Sequence, residues 1–420
     1  MSEKKKPRKI RVGVVGVGRG QTFMHQAPAA GMELVAVCDL WEERLAEVGK
    51  RYGIATYTDY DAFLEHDLDA VVLANYFHEH APFAIKALRA GKHVMSECAA
   101  CSTLAEGVEL CRTVEKTGCI YLFAENYPYT AFNLELARLY RAGEIGRVLY
   151  AEGEYNHPMS LQSRLAISPG LRHWRNNLPA TYYCTHAMAP LMAITDTMPV
   201  RVNGFTAPLP EDSKRPRLWQ QADVGGIILA KMDNGAVFKL LQGGLPGHSI
   251  FYRLHSEGGL METGRGPGYW GPGSVRIAHD EWELKKGQVP EKTYFPQFPA
   301  WAQAAARAGH GGGDWFTNHY FAEAIRSGKQ PYLNVYRGVA MSAIGILAWK
   351  SVLDQGNSYE VPDFARESSR RKWAKDTWRP LDLDDPQAPP VCSQGKQRQV
   401  LPGGLKKARQ VWKSIGYQGT

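Results

Sequence analysis

The sequence lacks any long apolar run, which argues against a membrane-spanning protein. No stretch of the 420 residues approaches the roughly 18 consecutive apolar residues that a transmembrane helix needs. The basic start MSEKKKPRKI is not followed by the apolar segment of a signal peptide, because the hydrophobic residues after it alternate with glycines. We therefore expect a protein of the cytoplasm.

Cysteine is scarce and irregularly spaced. The seven cysteines are an odd number, and they are scattered through helix-like and strand-like segments without the spacing of a disulfide framework. We therefore expect reduced thiols.

A basic stripe is also missing, although the net charge is +8. Much of the excess comes from two terminal clusters, Lys4–Lys9 and Lys396–Lys413, and the charges between them are mixed in sign. Nucleic-acid-binding domains usually concentrate their cations on one face or along one helix. With 44% hydrophobic and 22% charged residues, the composition is that of a soluble globular enzyme. We expect a small-molecule partner and no nucleic acid.

The first 125 residues alternate short apolar runs with amphipathic stretches. The apolar runs predict strands at Ile10–Val15, Leu34–Val37, Ala70–Leu73, His93–Met95 and Ile120–Phe123. The amphipathic stretches predict helices at Glu42–Tyr52, Pro82–Ala90 and Leu104–Lys116. Buried strands that alternate with helices are typical of a doubly wound parallel sheet. We predict an α/β domain at residues 1–125.

After Asn126 the pattern changes to half-buried, alternating strands that follow a helix. The helix is predicted at Ala131–Arg141, and the strands include VLYAEGEYNHP, Val200–Thr206, Gly226–Met232, Ala236–Gln242 and Ile250–Leu254. This pattern predicts an α+β domain with an open, mostly antiparallel sheet at residues 126–380. We expect the late helices Trp315–Arg326 and Val339–Leu353 to pack back on the first domain. Residues 381–420 are poor in apolar side chains and predict an extended arm or tail.

A glycine-rich turn, IRVGVVGVGRGQ, follows the first predicted strand and precedes a helix. Gly16, Gly18 and Gly20 leave room for a dinucleotide pyrophosphate, whose charge a helix N-terminus favours. Asp39 ends the second strand about 20 residues further on. Its carboxylate suits the ribose hydroxyls of NAD and would repel the 2′-phosphate of NADP. We predict a Rossmann domain with NAD as its cofactor, although Gln21 stands where the motif has its third glycine.

The string HVMSECAAC at the end of the fifth predicted strand allows three interpretations of Cys98 and Cys101. They are small residues packed beside the nicotinamide, a thiol redox pair, or metal ligands. The context is a strand end and not a thioredoxin fold, and further ligands at metal-binding spacing are missing. The first interpretation is therefore favoured, and no metal is predicted.

The strings AVVLANYFHEHAPFAIKAL and AGKHVMSE resemble the glucose–fructose oxidoreductase/inositol dehydrogenase (Gfo/Idh/MocA) family over roughly residues 8–355. The resemblance implies a Rossmann domain followed by an open-sheet domain, and a homodimer or homotetramer. His80 matches the histidine that follows the family's fourth strand. Cys98 replaces the lysine that family dehydrogenases use, and Tyr182 replaces the aspartate of their Asp-x-x-x-His motif. Only the histidine, His186, remains.

The string YYCTHAMAP is similar to the Tyr-Pro-Thr-His string of one branch of that family, the NAD-dependent glycosidases of glycoside hydrolase family 109. Ser96-Glu97, Glu125-Asn126 and the string HGGGD (His310 to Asp314) also resemble that branch. The resemblance implies oxidation at C3 of a sugar, elimination across C2 and C1, addition of water and re-reduction. It implies Tyr183 as the base at C2 and His186 as the acid/base at the C3 oxygen. We expect the two residues, three apart, to share one face of a helix.

The remaining predicted site residues come from their positions relative to these motifs. The predicted cofactor-binding residues are Gly16, Gly18, Arg19, Gly20, Gln21, Asp39, Asn75, His80, Glu97 and Asn126. The predicted substrate-binding residues, chosen because aromatic and guanidinium groups suit a sugar, are Glu97, Tyr127, Arg172, Trp174 and Arg175. Tyr129 and His157 are weaker candidates. Packing or solvation remains the alternative for each of them, and a salt-bridged strand end remains the alternative for Glu97.

Three functions follow. The favoured one is an NAD-dependent glycosidase that works by transient C3 oxidation. The alternative is a net NAD-dependent sugar or polyol dehydrogenase with an unusual acid/base set. The second alternative is a non-catalytic sugar or nucleotide sensor, because the family that the chain resembles also contains regulators.

Overall fold

The computed structural model describes residues 8–208, 221–266, 272–284, 286–380, 382, 384–395 and 402–417. The chain divides into two compact units. The first unit contains Met1–Cys101, Glu106–Thr130 and Phe298–Val339, and the second contains Ser102–Ala105, Ala131–Gln297 and Ala340–Thr420. Residues 298–339 thus belong to the unit that also contains the N-terminal strands. The domain boundaries predicted at residues 125 and 380 stay predictions.

The first unit is built on a parallel sheet, as predicted. Its strands among the described residues are β1 (Ile10–Val15), β2 (Met32–Cys38), β3 (Ala55–Tyr57), β4 (Ala70–Leu73), β5 (His93–Ser96) and β6 (Tyr121–Phe123). They lie in the order β3-β2-β1-β4-β5-β6, and every neighbouring pair is parallel. The sequence did not predict β3, because its three residues, two half-buried and one exposed, carry little hydrophobic pattern.

The second unit contains a larger mixed sheet. Its described strands are β7 (Val148–Asn156), β8 (Pro199–Ala207), β9 (Gly225–Met232), β10 (Val237–Gly243), β11 (Ser249–Ser256), β12 (Gly259–Thr263), β13 (Val275–Ala278), β14 (Glu291–Tyr294) and β15 (Tyr359–Glu360). The order is β14-β13-β12-β11-β7-β10-β9-β8-β15. The prediction of a mostly antiparallel sheet is confirmed, with one exception. The strand β7 is antiparallel to β11 but parallel to β10.

Helices connect the strands of both units. In the described residues they are α1 (Gly20–Gln26), α2 (Glu42–Tyr52), α3 (Tyr60–Glu65), α4 (His80–Arg89), α5 (Leu104–Thr117), α6 (Ala131–Arg141), α7 (Leu161–Ala166), α8 (Trp174–Asn177), α9 (Thr185–Thr195), α10 (Gly313–Ser327), α11 (Val335–Leu353), α12 (Glu367–Arg370) and α13 (Pro402–Ser414). No described helix combines the length and the apolar character needed to cross a bilayer.

The core of the first unit combines residues from both ends of its sequence. Val12 and Val14 of β1 are buried in one cluster with Phe321 and Ala322 of α10. Full burial of a side chain such as valine or phenylalanine contributes about 1.5–3 kcal/mol. Apolar packing therefore makes α10 part of the Rossmann unit, although about 200 residues of the chain intervene between α10 and β6.

The prediction of an extended C-terminal arm is wrong for residues 402–417, most of which form α13. Ala408, Val411 and Trp412 recur on one face of this helix and pack on Leu165 of α7. The Trp412 indole also donates a hydrogen bond to the Leu165 carbonyl oxygen at 3.1 Å. Because these apolar residues recur with the helical period, they form one apolar face, and the packing of this face stabilises the helix although the segment contains few apolar residues. Residues 381, 383, 396–401 and 418–420 of the predicted arm lie outside the described residues.

Candidate functional site

The glycine-rich turn between β1 and α1 leaves backbone exposed where a pyrophosphate would have to approach. Gly16 has φ +105°, and a Cβ there would lie 2.5 Å from the Ala74 carbonyl oxygen. A Cβ on Gly18 would meet no atom within 4 Å, so the space beside this residue is open. A Cβ on Gly20 would lie 2.8 Å from Val14, which explains the glycine at the start of α1. The turn therefore fits a bound dinucleotide.

Gln21 occupies the position of the missing third glycine and turns back on the loop. Its Nε2 donates a hydrogen bond to the Val17 carbonyl oxygen at 2.6 Å, and its Oε1 accepts one from Arg51 at 2.8 Å. Because Gly20 makes the close contact with β1, the neighbouring position can hold a polar side chain. The departure from the motif is therefore compatible with the same turn.

Asp39, directly after β2, is tied to the turn by its carboxylate. The Val17 N–H donates to Oδ2 at 2.7 Å, and the Trp41 N–H donates to Oδ1 at 2.8 Å. A carboxylate offers about four acceptor positions, so each oxygen retains one for a ribose hydroxyl. The residue thus stands where the sequence predicts it, with acceptor capacity that suits NAD.

Three predicted cofactor-binding residues carry buried polar atoms without a hydrogen-bond partner among the described residues. These atoms are Asn75 Oδ1, His80 Nε2 and Asn126 Oδ1. Burial lowers the pKa of His80, and its Nδ1 donates to the Ala99 carbonyl oxygen at 3.0 Å, so Nε2 of the neutral ring is an acceptor. Buried polar atoms are nearly always hydrogen-bonded, so unmatched ones point to a missing ligand or water. They fit the dinucleotide that the turn and Asp39 indicate.

Arg19 of the glycine-rich turn is held by two carboxylates. Its Nε donates to Glu97 Oε1 at 2.5 Å, and its two terminal nitrogens donate to both oxygens of Asp314 at 2.6 and 3.1 Å. Burial alone would lower the pKa of the Arg19 guanidinium, but the charges of Glu97 and Asp314 raise it instead. The salt-bridged alternative for Glu97 describes this residue in the structure. Binding of cofactor or substrate by Arg19 and Glu97 stays a prediction.

The string HGGGD explains how Asp314 reaches Arg19. His310, Gly311 and Gly312 all have positive φ, and a Cβ on Gly313 would lie 2.3 Å from the Asn126 carbonyl oxygen. The glycines thus allow a tight turn that packs directly on the residue after β6. Asn126 Nδ2 then donates to the fully buried Asp314 at 2.9 Å, and His310 Nδ1 donates to it at 2.7 Å.

Burial and hydrogen bonding change the pKa of the Asp314 carboxyl group in opposite directions. Burial alone would raise the pKa of its carboxyl group, but hydrogen bonds from His310 and Arg19 outweigh burial and hold the pKa well below its ordinary value. The carboxylate is therefore ionised at neutral pH and fixes Arg19, His310 and Asn126 around one point. The HGGGD string marked Asp314 in the sequence, but the sequence did not show that Arg19 is its partner.

The two tyrosines of the ENYPY string are largely removed from solvent. Tyr127 is fully buried in a short 3-10 turn after β6, and its predicted contact with substrate stays a prediction. Tyr129 stacks on Phe316 at 5.5 Å and lies 5.2 Å from Tyr320, and burial raises its pKa well above the ordinary value. The packing alternative thus describes Tyr129.

The cysteine string is buried at the end of β5. Cys98 and Cys101 are 5% and 1% exposed, and both are free thiols. The Cys98 thiol lies 3.4 Å from Glu97 Oε2. Their burial agrees with small residues that pack, since a reactive thiol is partly exposed. All seven cysteines lie in the described part of the chain, and none forms a disulfide there.

The second unit contains a cavity of about 360 Å³. Three of the predicted site residues line it: Trp174 and Arg175 of α8, and Tyr183. His157, the weaker candidate, lines it as well. Arg172 does not, because its guanidinium extends into solvent and pairs with Asp384 at 2.5 Å. The predicted substrate contact of Arg172 stays a prediction.

Tyr183 and His186 lie together, but not on one helix as the sequence suggested. Tyr183 belongs to the turn before α9, and His186 is the second residue of that helix. The Tyr183 hydroxyl lies 3.3 Å from His186 Nε2, and the two rings meet edge to face at 5.0 Å. A phenol and an imidazole at this distance can share or pass a proton.

Pro190 fixes the position of His186 in an indirect way. As a residue without an N–H, it cannot donate to the carbonyl of His186, four residues earlier in α9. The Tyr252 hydroxyl of β11 donates to that carbonyl instead, at 2.7 Å. A Cβ on Gly153 of β7 would lie 2.1 Å from the Ala187 carbonyl oxygen, so α9 also approaches the sheet closely. The sheet thus holds the helix start that carries the imidazole.

Sequence alone did not identify two residues beside this pair. Tyr155 lines the cavity, and its ring meets the His186 ring edge to face at 4.5 Å. Asp223 also lines the cavity, and its Oδ2 accepts a hydrogen bond from the Ser393 N–H at 2.9 Å. Tyr155 lies in the same EYNHP string as His157, so its position on β7 was the available signal. Nothing in the sequence around Asp223 distinguishes it.

Two family models match the chain. The model described as "Oxidoreductase family, NAD-binding Rossmann fold" matches residues 10–125, and "Glycosyl hydrolase 109, C-terminal domain" matches residues 250–374. A glycosyl hydrolase family 109 protein of Saccharopolyspora erythraea is 27% identical over 85% of this chain and 83% of its own length. A glycosyl hydrolase family 109 protein of a Shewanella species is 26% identical over 85% of this chain and 86% of its own.

Solved structures share the fold. A levoglucosan dehydrogenase in complex with NADH and levoglucosan superposes with a TM-score of 0.71 at 19% identity, over 84% of this chain and 100% of that one. An oxidoreductase from Agrobacterium radiobacter in complex with NAD⁺, L-tartaric acid and magnesium gives 0.68 at 16% identity, over 84% and 98%. At this identity the likeness shows the architecture alone.

Replacing Asp39 should change the choice of cofactor. Asp39→Ala removes the acceptors for the ribose hydroxyls, and hydrogen bonds to charged groups contribute about 1.5–3 kcal/mol. We expect the affinity for NAD⁺ to fall about tenfold or more, while NADP⁺ gains relative to NAD⁺ because a negative charge is removed. Calorimetric titration of both cofactors measures the ratio. Glu43→Ala, an exposed carboxylate on α2, is the control, and an equal loss for both cofactors would contradict the assignment.

Replacing Asp314 should destabilise the chain in a pH-dependent way. Asp314→Asn leaves Arg19 without its buried partner, and breaking a buried pair costs about 3–5 kcal/mol. The folded-state pKa of this carboxyl is lowered, so its contribution is complete above the unfolded pKa, near 4, and is lost as the pH falls further. Urea denaturation should show a large difference between wild type and variant at pH 7 and a smaller one at pH 3.

The control for this experiment is Asp59→Asn, which changes an exposed carboxylate that caps α3. Asparagine caps as well as aspartate, so we expect a change within about 0.5 kcal/mol. A difference for Asp314→Asn that stays constant between pH 7 and pH 3 would mean that the charge of this group is not what stabilises the fold.

Proposed function

We propose that this chain, which belongs to the Gfo/Idh/MocA family of NAD-binding oxidoreductases, is a glycosidase that works by transient oxidation of the sugar. The observation that carries the proposal is the Tyr183 side chain, which lines a cavity of about 360 Å³ and whose hydroxyl lies 3.3 Å from His186 Nε2. The curated relatives named as glycosyl hydrolase family 109 proteins support it.

The change at residue 98 also favours this function over net dehydrogenation. Cys98 stands at the position where the resemblance places the lysine of family dehydrogenases. A thiol cannot supply the charge and the three donors of an ammonium group. A reaction that begins and ends with an alcohol at C3 needs a proton acceptor there only transiently, and His186 can fill that role.

The cofactor would be held by Gly16, Gly18 and Asp39, with Asn75 and His80 offering buried acceptor atoms. When bound, NAD⁺ supplies the acceptor for the C3 hydride and later returns that hydride. The reaction therefore consumes no cofactor. This balance is the feature that separates the proposed function from a sugar dehydrogenase.

The side chains then divide the proton transfers. His186 Nε2 takes the proton of the C3 hydroxyl as the C3 ketone forms. The ketone acidifies the C2–H bond, so the Tyr183 oxygen, as phenolate, can remove that proton while the C1–O bond breaks. The aglycone oxygen leaves and takes a proton from solvent. Water adds its hydroxyl group at C1 and releases its other proton to solvent, Tyr183 returns a proton to C2, and His186 returns one to the C3 oxygen as the alcohol is restored. Each positioned proton transfer contributes about 10²–10⁴ in rate.

Two further expectations from the sequence remain predictions. They are a cytoplasmic location and a homodimeric or homotetrameric assembly. Size-exclusion chromatography with light scattering would measure the assembly directly.

A panel of aryl α- and β-glycosides with substoichiometric NAD⁺ in deuterated water tests the reaction. The proposal predicts free sugar in excess over cofactor, with deuterium at C2, because the C2 proton exchanges with solvent during the elimination. A ketone product with one equivalent of NADH and no label would instead establish a dehydrogenase. Sugar released without deuterium would also overturn the proposal.

Tyr183→Phe assigns the base within the same assay. We expect turnover and C2 exchange to fall by about 10²–10⁴, while the affinity for NAD⁺ is unchanged. Tyr182→Phe is the matched control, because it removes a hydroxyl from the adjacent tyrosine, which does not line the cavity. Equal losses for the two variants would refute the assignment of Tyr183.

A further inference from the structure

Arg175 presents a cationic group to the cavity of the second unit. Its guanidinium lies over the Trp174 ring at 4.2 Å from the centroid and 5.8 Å from the centroid of the Tyr183 ring. Among the residues that the structure describes, none accepts a hydrogen bond from this guanidinium or forms an ion pair with it. The five N–H donors of Arg175 are therefore available to a molecule in the cavity.

The position of Arg175 is fixed by its backbone and by stacking. The backbone N–H of Arg175 donates a hydrogen bond to His173 Nδ1 at 3.2 Å, and the Arg175 carbonyl oxygen accepts one from the Arg164 guanidinium. Trp174 is 8% exposed and supports the guanidinium plane from one side. A planar fork held in this way loses little freedom when it binds a ligand.

The charge of the cavity wall is positive in excess. Of the described residues that line it, Arg164 and Arg175 are cations, and Asp223 is the single carboxylate. The Asp223 carboxylate already accepts a hydrogen bond from the Ser393 N–H, and it forms no ion pair with Arg175. A cavity lined by an excess of one sign attracts ligands of the opposite sign.

A sugar that fills the cavity removes water from the Arg175 guanidinium. A buried charge without a counter-charge is costly, and the hydroxyl groups of a neutral sugar compensate only in part. A carboxylate or a sulfate ester would accept two parallel hydrogen bonds from the guanidinium and neutralise it. The physical chemistry therefore favours an acidic sugar over its neutral counterpart.

We propose that Arg175, stacked on Trp174, is the subsite for an anionic substituent, so that the substrates are glycosides of acidic sugars that carry a carboxylate or a sulfate ester. The inference rests on the proposed function, because it places the sugar beside Tyr183. It adds a specificity-determining residue and a substrate class to that function.

Binding measured without turnover tests the subsite. Calorimetric titrations would compare methyl glucuronides with methyl glucosides, methyl galacturonides with methyl galactosides, and N-acetylglucosamine 6-sulfate with N-acetylglucosamine. We expect at least one acidic member to bind about tenfold or more tightly than its neutral partner, as a charge-assisted bidentate contact allows. The pair that shows the preference distinguishes a carboxylate from a sulfate. Equal binding within every pair, or no binding by any acidic sugar, would overturn the proposal.

Variants then assign the preference to one residue. Arg175→Gln should remove the acidic-over-neutral ratio, and Arg175→Lys should retain part of it, because an ammonium keeps the charge but not the fork. Arg147→Gln removes an exposed cation of the same unit and should leave the ratio unchanged. Thermal unfolding of each variant shows that it is folded. A ratio that survives in Arg175→Gln would refute the role of this residue.

The two proposals fail in different ways. If acidic glycosides bind selectively but yield no deuterium at C2, the subsite stands and the glycosidase reaction is rejected. If neutral glycosides are hydrolysed with C2 exchange and acidic ones bind no better, the reaction stands and the anionic subsite is rejected.

Discussion

A fully buried carboxylate must be matched by donors, and in the first unit this requirement falls on Asp314. Its partners are Arg19 of the glycine-rich turn, Asn126 after β6 and His310 of the HGGGD string. Arg19 in turn carries the contact to Glu97 at the end of β5. Without the aspartate, Arg19 would be a largely buried cation with one counter-charge. The single pairing therefore couples the turn that is expected to receive the cofactor to two other strand ends.

In the second unit, contacts with the sheet hold the start of α9. Pro190 removes one hydrogen bond from α9, and the carbonyl it leaves unmatched belongs to His186. Tyr252 supplies the missing donor from the sheet, and Gly153 allows the helix to approach β7 closely. These backbone contacts hold the start of the helix that carries the imidazole. Its ring remains able to exchange a proton with Tyr183.

The proteins to which this chain is similar include both glycosyl hydrolases and a sugar dehydrogenase. The curated relatives are named as glycosyl hydrolase family 109 proteins, whereas the solved structures that share the fold include sugar dehydrogenases. The fold is therefore compatible with either outcome for the sugar. The proposed glycosidase function rests on the side chains: Cys98 stands at the position where the resemblance expects a lysine, and Tyr183 lines the cavity with its hydroxyl 3.3 Å from His186 Nε2. The cavity adds a stacked guanidinium, which bears on the identity of the sugar and not on the reaction.

The sequence by itself determined most strands of the parallel sheet and the cofactor turn. Apolar runs located β1, β2, β4, β5 and β6, because each contains buried apolar residues, and Gly16, Gly18 and Asp39 occupy local positions set by a few neighbouring residues. The sequence did not predict β3, the helix α13 or the position of Tyr183 in a turn, because the neighbouring residues there carry only a weak pattern.

Only the tertiary structure decided which distant residues meet. Arg19 and Asp314 are 295 residues apart, and Tyr252 reaches His186 across 66 residues. Arg172 and Arg175 look alike in the sequence, yet one pairs with Asp384 in solvent and the other lies over Trp174 in the cavity. Such pairings depend on chain reversals over long distances, whereas local periodicity reports only which face of an element is buried. The sequence therefore indicated which residue types could take part in the chemistry, but it did not show how these residues are arranged in space.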